Sequence, residues 1–316
     1  MMPYYLGIDT SNYTTSASIY DSSSGKMLME KKLLPVKQGE CGLRQSDAVF
    51  HHVQQLGEVT EKLFSQFIGK LCAVGVSSRP RDVDGSYMPC FTVGMMAAKV
   101  LSQSAGIPLY TFSHQSGHIA AAIFSSGQTR LLNERFLAFH ISGGTTEAVI
   151  VIPDSEKIFI SRLAAKTLDL NAGQLIDRVG VMLGLSFPCG AELEKLAAEN
   201  SEKIKGVRPT LKGADCCLSG VENICRREYE HGASKEYTAA LCLAYVQKTL
   251  EGMCDALLKE QGSMPVLFAG GVMSDRLIRD SLSEKYEAYF AEPAYSADNA
   301  SGTAYLCGLQ HMKDNV

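Results

Sequence analysis

Two histidines four residues apart, His114 and His118, stand in the segment SHQSGHIAAA at residues 113–122. On a helix this spacing puts both imidazoles on one face, with Cβ atoms about 5–6 Å apart, so both can reach one metal ion. A stable site needs a further ligand, and Asp298 in the segment DNAS can supply a carboxylate. Such a set leaves coordination positions open for substrate oxygens, as iron, manganese and zinc sites do. The alternative is that His114 caps a helix and His118 is half-exposed.

A glycine-containing turn, SGGTT at residues 142–146, is a second candidate site. Gly143 and Gly144 allow the backbone to approach a ligand closely, and the hydroxyls of Ser142 and Thr145 add donors beside the amides. Such a turn can surround phosphate oxygens and stabilise negative charge that develops during a reaction. The alternative is an ordinary hairpin turn whose polar residues face water.

A related turn follows Asp9 in the segment DTSNYTT, although Asn12 and Tyr13 are larger than the residues that a tight phosphate turn prefers. Asp9 ends a predicted buried strand, where a carboxylate costs free energy unless it is paired or hydrated. It either holds a metal-bound water or caps the turn.

Two further segments place acids beside glycines. In AGGVMSDR (269–276) a predicted strand runs into a Gly-Gly turn that opens a helix, and Asp275 can accept hydrogen bonds from ribose hydroxyls. Glycine-rich turns of this kind are common, so the segment alone is weakly specific. In AGQLID (172–177), Asp177 is either a second acid for sugar hydroxyls or a surface acid paired with Arg178 or a lysine.

A strand–turn–strand pattern occurs twice, as LGIDTSNYTTSASIYD (6–21) and LAFHISGGTTEAVIVI (137–152), at a separation of roughly 130 residues, which is too long for a solenoid repeat. Strand and helix patterns alternate, which is typical of the α/β class. We therefore predict a duplicated fold with a nucleotide held between two lobes. The N-terminal lobe is residues 1–135, on which a C-terminal helix at 298–316 packs back, and the C-terminal lobe is residues 136–297.

Apolar spacing predicts helices at residues 46–68, 92–105 and 235–261. The first of them contains the adjacent pair His51 and His52. Because adjacent helical residues point apart, this pair lacks the geometry of a metal site, and we expect it on a solvated face.

Composition excludes some function classes. The 316 residues carry a formal net charge of −4, which argues against a stand-alone nucleic-acid binder but not against a nucleic-acid substrate delivered with a partner's help. No secretory signal is apparent at the N-terminus, and no apolar run approaches the roughly 20 residues that cross a bilayer. The ten cysteines form no regular framework, which indicates reduced thiols and a cytoplasmic protein. Because no apolar run could span a bilayer, we expect no membrane partner.

Taken together, these segments resemble the tRNA threonylcarbamoyladenosine synthase (TsaD-like) family, which belongs to the superfamily of actin, sugar kinases and heat-shock ATPases. The resemblance spans nearly the whole chain through the ordered motifs LGIDTS, SHQSGH, SGGTT, DLNAGQLIDR, LGLSFPCG, CCLSGVEN, AGGVMSDR and ADNASGTAY. It implies a duplicated two-lobed actin-like ATPase fold with a central nucleotide cleft. It also implies transfer of a threonylcarbamoyl group from its adenylate to the adenosine beside the anticodon of tRNA.

The resemblance also implies roles for residues at matching positions. The family's metal ligands fall on His114, His118 and Asp298. Its phosphate and substrate loop falls on Ile141, Ser142, Gly143, Gly144 and Thr145. Its ribose and adenosine contacts fall on Asp177, Gly190, Gly270, Gly271 and Asp275. We take Asp9 and Ser142 as the candidate catalytic residues.

The implied ligands are one divalent metal, iron or zinc, and ATP or an acyl-adenylate. The implied partners are tRNA, as substrate, and the protein subunits of a modification complex. The helices at 46–68 and 92–105 are a reasonable docking surface for those subunits.

Several positions depart from the family pattern. The first turn usually reads ETSCDET, so that Tyr13 and Thr14 replace two acids. A longer segment at residues 79–90, with basic residues at Arg79 and Arg81, replaces a Gly-Pro-Gly loop. Thr145 stands where the family has histidine, and Asp275 where it has asparagine. Glu222 likewise replaces a lysine.

These departures keep alternatives to the family reaction open. One is a divergent paralogue that is non-catalytic or re-purposed, binds a nucleotide and acts through partner proteins. Another is a carbamoyltransferase with a different acceptor. Proteolysis has no support, because HQSGH lacks the glutamate of the HExxH arrangement.

Overall fold

The computed structural model of the chain describes residues 3–11, 13–35, 43–296 and 299–315. It contains two compact units. Unit 1 comprises residues 1–132, 153–160 and 294–316, and unit 2 comprises residues 133–152 and 161–293.

Strands and helices alternate through both units. The strands are β1 (Tyr4–Ser11), β2 (Thr14–Asp21), β3 (Lys26–Leu33), β4 (Leu71–Arg79), β5 (Leu109–Ser113), β6 (Phe136–Ile141), β7 (Thr146–Pro153), β8 (Phe159–Lys166), β9 (Thr210–Lys212), β10 (Asp215–Cys217), β11 (Val266–Ala269) and β12 (Ala288–Phe290). The helices are α1 (Gln45–Ser65), α2 (Phe91–Ala105), α3 (His114–Ser126), α4 (Ala172–Met182), α5 (Gly190–Ala198), α6 (Ser219–Glu230), α7 (Lys235–Gln261), α8 (Arg276–Lys285), α9 (Pro293–Ser296) and α10 (Ser301–Asp314).

Unit 1 is built on a five-stranded sheet with the order β3-β2-β1-β4-β5. The central strand β1 pairs antiparallel with β2 and parallel with β4. Leu6 and Ile8 of β1 join a buried apolar cluster with side chains of α1 and α2. Because successive strand residues point to opposite faces, Gly7 lies on the other face, where a Cβ atom would come within 2.3 Å of the Ala304 amide nitrogen. The helix α10 therefore packs directly against β1.

Unit 2 repeats this arrangement with the order β12-β11-β6-β7-β8. Here β6 takes the central place of β1, pairing antiparallel with β7 and parallel with β11. Phe139 and Phe268 stack in its core at a centroid distance of 5.1 Å. A separate antiparallel pair, β9 and β10, lies outside this sheet. The predicted α/β class and the predicted duplication are thus confirmed.

The predicted helices are observed with small changes at their ends, but the expectation for His52 was wrong. His52 is completely buried, and its Nδ1 lies 2.8 Å from Oγ1 of Thr15. Ala48, His52, Leu56, Val59 and Leu63 follow one another at helical spacing and are all buried. The apolar spacing that predicted α1 had placed Val53 on the buried face, but Val53 is exposed and His52, one position earlier, is buried instead.

The nine cysteines among the described residues are free thiols. Of the helices in the described ranges, none has the length and apolarity needed to cross a membrane.

Candidate functional site

His114 and His118 lie on the first two turns of α3. Ser113 caps this helix, since its side chain accepts a hydrogen bond from the Ser116 amide at 3.0 Å. The Nε2 atoms of His114 and His118 lie 3.0 Å apart. The i, i+4 spacing therefore brings both rings together, as predicted for a helix.

Asp9 holds the first of these rings from the other side. Its carboxylate is buried and lies 2.8 Å from Nδ1 of His114, while it also accepts the Ser11 amide at 2.9 Å. Because a carboxylate accepts hydrogen bonds, the proton of His114 is on Nδ1 and the Nε2 lone pair points toward His118. Carboxylates hold metal-binding histidines in this way, so Asp9 caps its turn and also orients His114.

The histidine pair fits the first two positions of a metal site. Two imidazole nitrogens bound to one tetrahedral zinc ion are about 3.3 Å apart, given Zn–N bonds of roughly 2.0–2.1 Å, and the observed 3.0 Å is close to this. In the ranges that the structure describes, no three side chains of His, Cys, Asp or Glu are grouped as a metal site. The predicted third ligand, Asp298, lies outside the described residues.

The helix α10 approaches α3 at the turn that carries both histidines. A Cβ atom at Gly302 would collide with the Gly117 carbonyl oxygen and come within 2.7 Å of the Ala121 amide nitrogen. The two backbones therefore touch, with Gly117 standing between His114 and His118.

In unit 2, the turn at residues 142–145 is closed by its own hydrogen bonds. The Ser142 amide donates to the Thr145 carbonyl at 2.7 Å, and Oγ of Ser142 accepts the amides of Thr145 at 3.1 Å and Gly144 at 3.3 Å. The prediction that the amides of this turn are available to a phosphate or a developing negative charge is wrong for Ser142, Gly144 and Thr145, because all three amides donate within the turn itself.

Ile141, which precedes this turn, packs closely against Gly270, and we call these two residues the frame of the turn. Gly270 has a positive φ of 100°, and a Cβ atom there would lie 2.2 Å from the Ile141 carbonyl oxygen. Glycine is the residue that tolerates both conditions. Behind the same turn, the Gly173 amide donates to the Ser142 carbonyl at 3.1 Å.

A cavity of about 340 Å³ opens beside this frame in unit 2. It is lined by half of the predicted nucleotide-binding residues, namely Gly143, Asp177, Gly190, Gly271 and Asp275. The other half, Ile141, Ser142, Gly144, Thr145 and Gly270, do not line it. The structure therefore gathers residues from four separate motifs around one cavity.

The two acids in this cavity have unusual surroundings. Asp275 caps α8 by accepting the Ile278 amide at 3.1 Å, and burial, together with the nearby charge of Glu194, raises its pKa to about 6. Asp177 accepts the Cys189 amide at 2.9 Å, and burial raises its pKa as well. The alternative pairing of Asp177 with Arg178 is not what the structure shows, since Arg178 binds Glu222 at 3.1 Å.

Sequence comparison decides the family. The sequence model of the TsaD family, described as tRNA N6-adenosine threonylcarbamoyltransferase, matches residues 36–305. The chain belongs to this family. The tRNA N6-adenosine threonylcarbamoyltransferase of Sulfurihydrogenibium sp. (strain YO3AOP1) is 29% identical over 330 residues, covering 98% of this chain and 90% of the relative. A relative from Methanothermobacter thermautotrophicus, named as a bifunctional tRNA threonylcarbamoyladenosine biosynthesis protein, is 26% identical over 306 residues, covering 95% and 54%.

Solved structures show the fold of this TsaD family member. HypF in its phosphate- and nucleotide-bound form aligns with a TM-score of 0.60 at 15% identity, covering 98% of this chain and 55% of HypF. A ROK family glucokinase from Streptomyces griseus, in complex with glucose and AMPPNP, aligns with a TM-score of 0.53 at 12% identity, covering 98% and 99%. The chain has the fold of actin-like ATPases and sugar kinases.

Proposed function

We propose that this TsaD family member transfers a threonylcarbamoyl group from its adenylate to the exocyclic amine of the adenosine beside the anticodon of tRNA. Membership of the family supports a transferase that acts on tRNA. The observation that carries the metal-dependent form of this proposal is the convergence of the His114 and His118 Nε2 atoms, with Asp9 behind His114.

We assign His114, His118 and Asp298 as the ligands of one divalent cation, iron or zinc. When bound there, such a cation polarises a carbonyl or phosphoryl oxygen of the substrate. Asp9 fixes the ring orientation of His114 through its contact with Nδ1, which leaves Nε2 as the atom that would bind the cation.

The cavity of unit 2 is the proposed site of ATP or the acyl-adenylate. Asp177 and Asp275 accept hydrogen bonds from ribose hydroxyls, and their negative charge keeps the phosphates away from this part of the cavity. Gly143, Gly190 and Gly271 leave the backbone open to a flat adenine ring, because they carry no Cβ atom.

The proposed reaction needs no nucleophile from the protein. The adenosine amine attacks the carbamoyl carbon of the adenylate, a C–N bond forms, the bond to the phosphate oxygen breaks, and AMP leaves with its electron pair. The amine loses one proton to solvent. Ser142 holds the turn that borders the cavity, through the hydrogen bonds that its hydroxyl accepts.

The proposed function also involves partner subunits. The Methanothermobacter relative is about twice as long as the region that matches this chain, so a further biosynthetic activity is joined to the TsaD-like part in that protein. In this chain, we propose that a separate subunit docks on the face formed by α1 and α2, where Phe50, Val53, Met96 and Val100 are exposed apolar side chains.

Reconstitution tests the reaction. The purified chain is incubated with ATP, threonine, bicarbonate, the adenylate-forming enzyme, partner subunits and unmodified tRNA, and the modified nucleoside is measured by mass spectrometry. We expect His118→Ala to lower product formation by at least a hundredfold, and His231→Ala, which removes an exposed histidine of unit 2, to leave it unchanged. Nucleotide binding without product in every partner set would instead support the non-catalytic paralogue, which the loss of two acids at Tyr13 and Thr14 favours.

A further inference from the structure

The segment that departs most from the family pattern, residues 79–90, packs against the start of α3. The Gln115 amide donates to the Pro80 carbonyl at 3.0 Å, which joins the two segments through their backbones. The side chain of Asp82 then reaches the first turn of the histidine helix. The segment 79–90 is therefore bound to the helical turn that carries His114, and the sequence did not predict this contact.

Asp82 accepts hydrogen bonds from the two serines that flank His114. One of its carboxylate oxygens, Oδ2, lies 2.9 Å from Oγ of Ser113 and 2.6 Å from Oγ of Ser116. Its other oxygen, Oδ1, lies 2.5 Å from Arg79 Nη2. The Asp82 side chain is only 15% exposed, so these three donors replace most of its hydration.

The surroundings of Asp82 favour its ionised form. Burial opposes ionisation, but the hydrogen bonds from Ser116 and Ser113 and the charge of Arg79 outweigh it and hold the pKa of Asp82 below its usual value. A negative charge at a helix N-terminus is also favoured by the helix dipole.

The same contacts explain what the basic residue Arg79 does. Its guanidinium binds Asp82 and, through Nη1, Oγ of Ser78 at 3.0 Å. Arg79 therefore neutralises the carboxylate that anchors α3, and this part of the segment serves as an anchor rather than as a phosphate loop.

We propose that Asp82 is a positioning residue for the histidine pair. The ring of His114 is held by Asp9, while its backbone lies between Ser113 and Ser116, which Asp82 holds together. The first turn of a helix lacks internal acceptors for its amides and frays unless it is capped. With this turn fixed, the Nε2 atoms of His114 and His118 stay together at one point. The functional consequence of this proposal rests on the proposed metal site.

The test uses the full chain with Asp82→Asn, which keeps the shape of the side chain and removes its charge. We expect the Zn²⁺ dissociation constant, measured by competition with a chromophoric chelator, to rise about tenfold, as for other groups that support metal ligands. We expect the visible spectrum of the Co²⁺-loaded protein to change in band position or intensity. Nucleotide affinity, which depends on the cavity of unit 2, stays the same.

A matched control is Asp169→Asn in unit 2. Asp169 anchors the start of α6 in a comparable way, by accepting the Leu218 amide at 2.7 Å and Oγ of Ser219 at 2.5 Å. This variant removes a similar capping carboxylate far along the chain from the histidines. We expect it to leave the Zn²⁺ dissociation constant and the Co²⁺ spectrum as in the wild type.

Hydrogen exchange separates this proposal from the proposed function. We expect amides of residues 114–118 to exchange at least tenfold faster in Asp82→Asn than in the wild type without added metal. If the wild type binds no metal, the metal-dependent function fails, while this exchange measurement still decides whether Asp82 fixes the turn. Unchanged exchange in residues 114–118, or an unchanged Zn²⁺ affinity in a metal-binding wild type, overturns the positioning role.

Discussion

At the scale of single residues, the acids of this chain are used in opposite ways. Asp82 is surrounded by donors that keep it ionised. Asp275 is also buried, but it accepts the Ile278 amide with Glu194 nearby, and its pKa is raised to about 6. Because the pKa is raised, the folded state disfavours the ionised form, and the charge of Asp275 costs free energy of folding near neutral pH.

Asp275→Asn tests this cost through the pH dependence of stability. The folded pKa of about 6 lies above the usual 3.8, so the folded state binds the proton more tightly and stability is lost as pH rises from about 4 to about 6. A shift of this size corresponds to at most about 3 kcal/mol above pH 6. Asparagine caps helices as well as aspartate does, so the variant should keep the capping hydrogen bond without this loss.

Urea unfolding at pH 4.5 and pH 7.5 measures the effect. We expect the variant to gain stability relative to the wild type at pH 7.5 and to gain much less at pH 4.5. An equal difference between the two proteins at both pH values would show that Asp275 has an ordinary pKa.

At the residue scale, some contacts could be predicted from the sequence and others could not. The i, i+4 spacing predicted that His114 and His118 share a helix face, and that depends on local geometry alone. The pairing of Asp9 with His114 joins residues 105 positions apart, so it follows from the order of strands in the sheet and not from spacing. Ser142 was expected to offer donors to a ligand, but its hydroxyl accepts two amides of its own turn, which depends on one side-chain rotamer.

At the scale of elements, the close contact of α3 and α10 controls where the histidines stand. Gly302 of α10 lies directly on the Gly117 carbonyl. The alternation of side-chain directions along β1 explains the position of α10, because Gly7 opens the sheet face opposite to Leu6 and Ile8. The elements and their order were therefore predictable, whereas the distance between two helices depends on which small residues meet.

Gly302→Ala tests this contact. The new methyl group would overlap the backbone of α3, so the helices must move apart, and we expect a loss of about 3 kcal/mol in unfolding free energy. Zn²⁺ binding should weaken as well, because the turn with both histidines is displaced. Urea unfolding and chelator competition measure the two effects.

Gly57→Ala is the control for this substitution. Gly57 is also within a helix of unit 1, but nothing lies within 4 Å of a Cβ atom built there. Alanine should therefore raise stability there by up to about 1 kcal/mol. Equal stability of the two alanine variants would show that the contact of α3 and α10 is not tight.

At the scale of the whole molecule, one sheet topology is used twice for different purposes. The strand pair β1–β2 and the strand pair β6–β7 have corresponding registers, with Thr15 opposite Thr10 and Thr146 opposite Ile141. In unit 1 the turn between the paired strands follows Asp9, which orients a histidine; in unit 2 it borders a cavity through Gly143. Duplication therefore preserved the backbone frame, while the side chains at each turn diverged. The exposed face of α1 and α2 is a third surface, and it contains no residue of either turn.

The α1–α2 face is shaped to receive a partner helix. A cavity of about 350 Å³ lies there between apolar side chains, and Val53 and Met96 at its rim are 62% and 58% exposed. Grooves of this kind between two helices accept an apolar helix of a partner. The double variant Val53→Glu and Met96→Glu places charges where such a helix would bury them, so we expect binding of the partner subunit, measured by calorimetry, to weaken at least tenfold. Ile68→Glu changes a 96% exposed side chain that does not line the cavity and should bind normally. Wild-type affinity in the double variant would place the partner elsewhere on the chain.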